Sequence, residues 1–181
     1  MIVRDRSDKM SDFGFKLMVY MYWVVDLFYS PEKRIKSFGI KEGAAVLDYA
    51  CGPGRYVRGF SEAVGEKGKV YAADIHELAL SYVKKRIEKY NLRNAVPVLV
   101  KGYHCDIVDK SVDYICALDM LHQVGEPGKL FRELHRMMKK DGVLILDDGH
   151  QKRERTRAQI NEANLWKIVE ENKDHLKCAP K

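Results

Sequence analysis

Cysteine is scarce and scattered. Four occur in 181 residues (Cys51, Cys105, Cys116 and Cys178), and no two form a CxxC pair. That spacing argues against a zinc framework and against a disulfide-stapled secreted fold, and no metal-ligand set is read in the chain. Long apolar runs are missing too. A spanning helix needs about 20 apolar residues, and the nearest approach, Phe13 to Tyr29, is shorter and carries Lys16 and Asp26. The charged opening MIVRDRSDKMSDF lacks a signal-peptide pattern, so the reading is a cytoplasmic protein without a transmembrane segment. Internal repeats and low-complexity tracts are absent, and a composition of 46% hydrophobic and 32% charged residues is that of an ordinary globular chain. The net charge of +6 is compatible with an acidic partner, but Lys-rich enzymes show the same balance.

What is present begins with the Phe13–Tyr29 segment, FGFKLMVYMYWVVDLFY, apolar on nearly every side. Such a helix needs burial or an apolar contact. Residues 1–40 are therefore read as an N-terminal helical cap or lid, which also offers a homodimer contact, and 41–181 as the core of one compact domain. Ser30-Pro31-Glu32 reads as a helix start with a hydroxyl cap. Apolar runs at 44–49, 70–75, 95–100, 112–118 and 143–146 read as strands, with helical spacing between them, and Lys140-Asp141-Gly142 as the turn before the fifth. A polar helix at 153–164 precedes a hairpin turning near Asn172-Lys173-Asp174. This alternation predicts an α/β fold: a Rossmann-like doubly wound sheet of about seven strands, mainly parallel with a C-terminal antiparallel hairpin, and helices on both faces.

The first strand runs into Asp48-Tyr49-Ala50-Cys51-Gly52-Pro53-Gly54. Glycines there let backbone approach a ligand, and the ligand site of an open parallel sheet lies beyond the strands' carboxyl ends. Asp74 ends the second strand about 20 residues past Gly54, where an acid can accept from ribose hydroxyls. Together these residues indicate a nucleoside-containing cofactor. Val57 stands where a dinucleotide fingerprint wants its third glycine, which leans away from NAD.

VLDYACGPGRY and VYAADIHELAL resemble the first two motifs of class I S-adenosylmethionine-dependent methyltransferases. Val112–Val124 resembles their fourth-strand motif, and Phe131–Gly142 the segment before the fifth strand. Within that superfamily the chain is most similar to the type 11 group, which includes quinone-biosynthesis C-methyltransferases. The resemblance implies that Asp48 holds the methionine part of S-adenosylmethionine, with backbone at Ala50, Gly52 and Gly54 passing beneath it. It further implies Asp74 on the ribose, Ile75 against the adenine, Asp106 on the adenine amino group, and the Leu118 carbonyl on the methionine amino group. Ala50 replaces a usual glycine, a mild change if its backbone angles are ordinary.

Methyl transfer from a sulfonium is mostly a matter of alignment, so a catalytic residue need not be displayed. His122 and Asp119, beyond the fourth strand, are the candidates for a base; His104 and His150 more often serve a surface role. Tyr20, Tyr22 and Trp23 either line a lid or simply pack the helix. The expected activity is methyl transfer to a small, apolar acceptor. The alternatives are a nucleic-acid methyltransferase or binder, motivated by Lys152–Arg157, and a non-catalytic cofactor sensor or assembly protein.

Overall fold

The computed structural model describes residues 11–26 and 31–181. The expected Ser30 cap, the tail of the apolar segment at 27–29 and the Trp23 side chain fall outside the described residues. Eight strands form a single sheet: β1 (Ala45–Tyr49), β2 (Lys69–Asp74), β3 (Ala95–Lys101), β4 (His104–Cys105), β5 (Val112–Ala117), β6 (Met138–Leu146), β7 (Trp166–Glu171) and β8 (Leu176–Pro180). Their order is β4-β3-β2-β1-β5-β6-β8-β7. The five strands β1, β2, β3, β5 and β6 pair in parallel, while β4, β7 and β8 pair antiparallel. Helices α1 (Asp12–Asp26) and α2 (Pro31–Phe38) precede β1. The helices α3 (Val57–Val64), α4 (Glu77–Tyr90), α5 (Pro127–Met137) and α6 (Arg153–Ala163) then alternate with strands.

Side-chain alternation explains why these strands sit in the middle. Val46, Val70, Ala72, Tyr114 and Cys116 face one core with Val57, Phe60 and Val83 from α3 and α4. Leu47, Ala73, Ile115 and Ala117 face the other with Leu130, Phe131 and Leu134 of α5, Ile160 of α6, and Trp166. A strand that is apolar on both faces is stable only when both are covered, which the crossover helices accomplish.

Two local readings change. Met138 does not close α5; it opens β6, whose register jumps from Val112↔Met138 to Tyr114↔Val143. Lys139–Gly142 is thus a bulge inside the strand, and the turn signal of Asp141-Gly142 reported that bulge. The short β4, pairing Val100↔Cys105 and Lys101↔His104, is the additional strand. Two polar-flanked residues carry no period to read.

α2 lies on α3, where Ile35 occupies the space a Cβ on Gly59 would need. On α1, Phe15 is buried against His76, ring centroids 4.6 Å apart, and near Tyr82 at 6.1 Å. Among the described residues, no helix is long and apolar enough to cross a membrane.

Candidate functional site

A cavity of about 640 Å³ opens at the carboxyl ends of the parallel strands. Its floor is the Asp48–Pro53 turn; its walls are Asp74–His76 after β2, Gly102 and Tyr103 after β3, Leu118–Met120 after β5 and Asp147–Gly149 after β6. Phe15, Met18 and Tyr22 of α1 also line it. The sheet order places β1 between β2 and β5, the position where successive crossovers diverge to opposite sides and leave a crevice.

Asp48 is buried, and its Oδ2 has no hydrogen-bond partner among the described residues. Burial, and then the like charge of Asp74, push its carboxyl up to about 8. Asp74 is held on both oxygens: Oδ2 accepts from the Gly52 N–H at 2.8 Å and Oδ1 from the His76 N–H at 2.8 Å. Burial raises its pKa, and those two bonds oppose the rise. Gly52 and Gly54 take φ of 52° and 74°. At Gly54 a Cβ would come within 3.0 Å of Val83 and 3.3 Å of Val57, so this glycine also lets the turn sit against α4.

Ala50 has φ 61°, in the left-handed region. The family's glycine preference at this position has a physical cause, and the alanine here is strained. Ile75 and Leu118 both line the cavity. Asp106 does not: it is exposed and absent from the cavity lining. The antiparallel return of β4 takes up the chain after β3 and carries Asp106 outward, so Gly102 and Tyr103 occupy the wall where an adenine contact was expected. Tyr103 is fixed there by the Tyr49 hydroxyl, which donates to its carbonyl at 2.9 Å.

Of the two candidate bases, Asp119 lines the cavity and His122 does not. Asp119 has φ 54°, donates its N–H to Asp147 Oδ1 at 2.7 Å, and accepts at Oδ2 from the Tyr22 hydroxyl at 2.9 Å. Burial and the Asp119 carboxylate push the Tyr22 hydroxyl up, so it stays a donor. His122 sits in a 3-10 turn, Leu121–Gln123, and meets the His150 ring edge-on with centroids 4.8 Å apart. His104 is exposed and lies 3.1 Å from Glu133, outside the cavity. Tyr20 points outward at 62% exposure. Cys51 and Cys116 are buried with thiols pushed well up by desolvation, which makes them unreactive.

One network escaped the sequence reading. Arg34 of α2 pairs with Asp147 and donates to the Tyr56 hydroxyl at 2.9 Å, and all three residues line the cavity. The signal was Asp147 at a strand's carboxyl end, the position that singled out Asp48 and Asp74. The basic run after Lys152 is engaged in part: Arg153 pairs with Asp148 at 2.6 Å and Arg157 with Glu171 at 2.7 Å.

Carboxylates at two adjacent strand ends, a glycine turn between them and a cavity above define an α/β protein that takes a nucleoside-bearing cofactor. A family model described as "Methyltransferase domain" matches residues 40–179, and the chain belongs to that family. Among relatives, it is 27% identical over 166 residues to the ubiquinone/menaquinone biosynthesis C-methyltransferase UbiE of Escherichia fergusonii, covering 78% of this chain and 66% of that protein. It is 26% identical over 111 residues to the demethylmenaquinone methyltransferase of Geobacillus stearothermophilus, covering 61% of this chain and 47% of the relative. The chain thus spans about half to two thirds of the curated relatives it matches. A crystal structure of an S-adenosylmethionine-dependent methyltransferase from Aquifex aeolicus matches with TM-score 0.77 and 27% identity, over 95% of this chain and 98% of that one.

Proposed function

We propose that this protein transfers a methyl group from S-adenosylmethionine to a small, apolar, ring-bearing acceptor of the quinol type. The observation that carries the reading is the unpartnered, buried Asp48 oxygen facing a cavity beside Asp74. A buried carboxylate without a partner is costly, and a cationic amino group is the partner that removes the cost. Asp74 keeps lone pairs for two ribose hydroxyls after accepting its two backbone N–H groups. Both features fit the cofactor. The acceptor class comes from the relatives' printed names and from the apolar residues Leu118, Met120 and Val124 in the wall.

The bound cofactor supplies an electrophilic methyl on sulfonium sulfur. The chain's own residues do the rest. Asp74 grips the ribose, Ile75 packs the base, and the Leu118 carbonyl and Asp48 hold the amino group. Phe15, Met18 and Tyr22 exclude water. Holding the acceptor in line with the methyl supplies roughly 7–11 kcal/mol of the barrier. An acceptor that takes the methyl would give up a proton. Asp119, in the wall and fixed by Tyr22, stands where it can receive that proton. We place the protein in a reducing compartment, since Cys51, Cys105, Cys116 and Cys178 are all free and buried.

The test is isothermal titration with S-adenosylhomocysteine, followed by label transfer from S-adenosylmethionine to a panel of hydroquinones. Tight binding that Asp74→Ala weakens at least tenfold, with labelled product, is expected. No binding of S-adenosylhomocysteine at millimolar concentration overturns the reading.

A further inference from the structure

We propose that Asp119, His122 and His150 form a binding site for a divalent transition-metal ion at the edge of the cavity, which Asp119 alone of the three lines. Their ligand atoms lie within 4.8 Å of one another. Two come from the segment after β5 and one from the segment after β6, neighbouring parallel strands whose carboxyl ends open on the same cleft. Ligand atoms sharing an ion at bonds of about 2.0–2.2 Å stand roughly 3–4 Å apart. A small rotation of His150, 81% exposed, closes the difference.

Three independent features aim the groups at a common point. His122 Nδ1 is buried and has no hydrogen-bond partner among the described residues. Gly149 has φ 55°, and a Cβ there would collide with His122 Nδ1 and lie 3.3 Å from Asp119 Oδ1; the glycine leaves the space in which they converge. Asp119 spends Oδ2 on the Tyr22 hydroxyl, which leaves Oδ1 turned toward His150 Nε2 at 3.9 Å. Two imidazoles and one carboxylate are the donor set of zinc and non-haem iron sites that keep coordination positions open. Mg²⁺ and Ca²⁺ prefer oxygen alone.

The consequence rests on the function proposed above. Asp119 and Gly149 both line the cavity, so an ion here would bind an acceptor's hydroxyl oxygen and ease loss of its proton to water, with Asp119 then serving as ligand and no longer as the proton's receiver. That would select acceptors bearing an oxygen next to the methylated position.

The 181-residue chain, stripped with chelator, is titrated with Co²⁺ and read by its visible absorption, then competed with Zn²⁺. One equivalent is expected to bind. His150→Ala should weaken uptake by roughly tenfold or more. Because that side chain is exposed, the metal-free melting temperature should not move. His122→Gln should weaken uptake likewise. No uptake by the wild-type chain, or equal uptake by both variants, overturns the proposal. S-Adenosylhomocysteine titrated into the same samples separates the two ideas: metal without nucleoside binding sinks the methyl-transfer reading alone, and nucleoside without metal sinks this site alone.

Discussion

Ala50 carries a left-handed backbone, φ 61°, that glycine would adopt freely. Ala50→Gly is therefore expected to stabilise the protein by about 1 kcal/mol. For a chain of this size that corresponds to a melting temperature raised by roughly 2–4 °C, read by calorimetry. Asp48 makes a second prediction. Its carboxyl is lifted from 3.8 to about 8, so between those values the unfolded chain has lost a proton that the folded chain keeps. Stability must then fall as pH rises across that window, and level off above it. Asp48→Asn has no proton to lose, so without cofactor it should melt higher than wild type, increasingly so toward pH 8. It should also bind S-adenosylmethionine roughly 10- to 100-fold more weakly, the cost of losing a charged hydrogen-bond partner. Wild-type affinity should climb up to about pH 8 because binding expels the Asp48 proton. An affinity that is flat with pH would show that Asp48 does not meet the cofactor's charge.

The bulge in β6 and the helix α1 are where element-scale physics adds to the sequence pattern. A Cβ on Gly142 would strike the Met138 sulfur and press within 3.0 Å of the Asp113 and Lys139 carbonyls. Gly142→Ala should destabilise by about 1–3 kcal/mol, seen as a lower urea midpoint with an unchanged slope. Tyr22 ties α1 to the core through Asp119 at 2.9 Å. Tyr22→Phe should speed amide exchange in α1 and leave β1 unaffected, since only that helix's contact is lost. The strands and α4 were legible from period; the caps of α4, where His76 accepts from the Leu78 N–H and Asn91 closes the helix at φ 50°, came from the structure. The bulge was not. A glycine after a charged pair looks alike in a turn and in a kinked strand, and only the jump in register against β5 separates them.

At the scale of the whole molecule, α1 is apolar on both sides. Phe15, Met18 and Tyr22 face the cavity, whereas Phe13, Leu17, Tyr20, Met21 and Val24 are exposed. We propose that this outer stripe joins two copies of the chain. Leu17→Glu should then shift sedimentation velocity from dimer to monomer; a wild-type protein that sediments as a monomer at high micromolar concentration refutes it. Part of the basic run at Lys152–Arg157 is paired locally, as Arg153 and Arg157 bind Asp148 and Glu171.

Composition, period and the motifs from Asp48 to Gly54 and at Asp74 were enough to indicate the α/β class, the S-adenosylmethionine cofactor and the family. Those properties depend on short stretches whose spacing is local. Tertiary structure alone decided that Asp106 turns away from the pocket and that Asp119 lines it while His122 does not. It alone brought Arg34, 113 positions from Asp147, into contact with that carboxylate. Such outcomes depend on how a short antiparallel return and the helices α1 and α2 settle on the sheet, and no single stretch of residues contains that information.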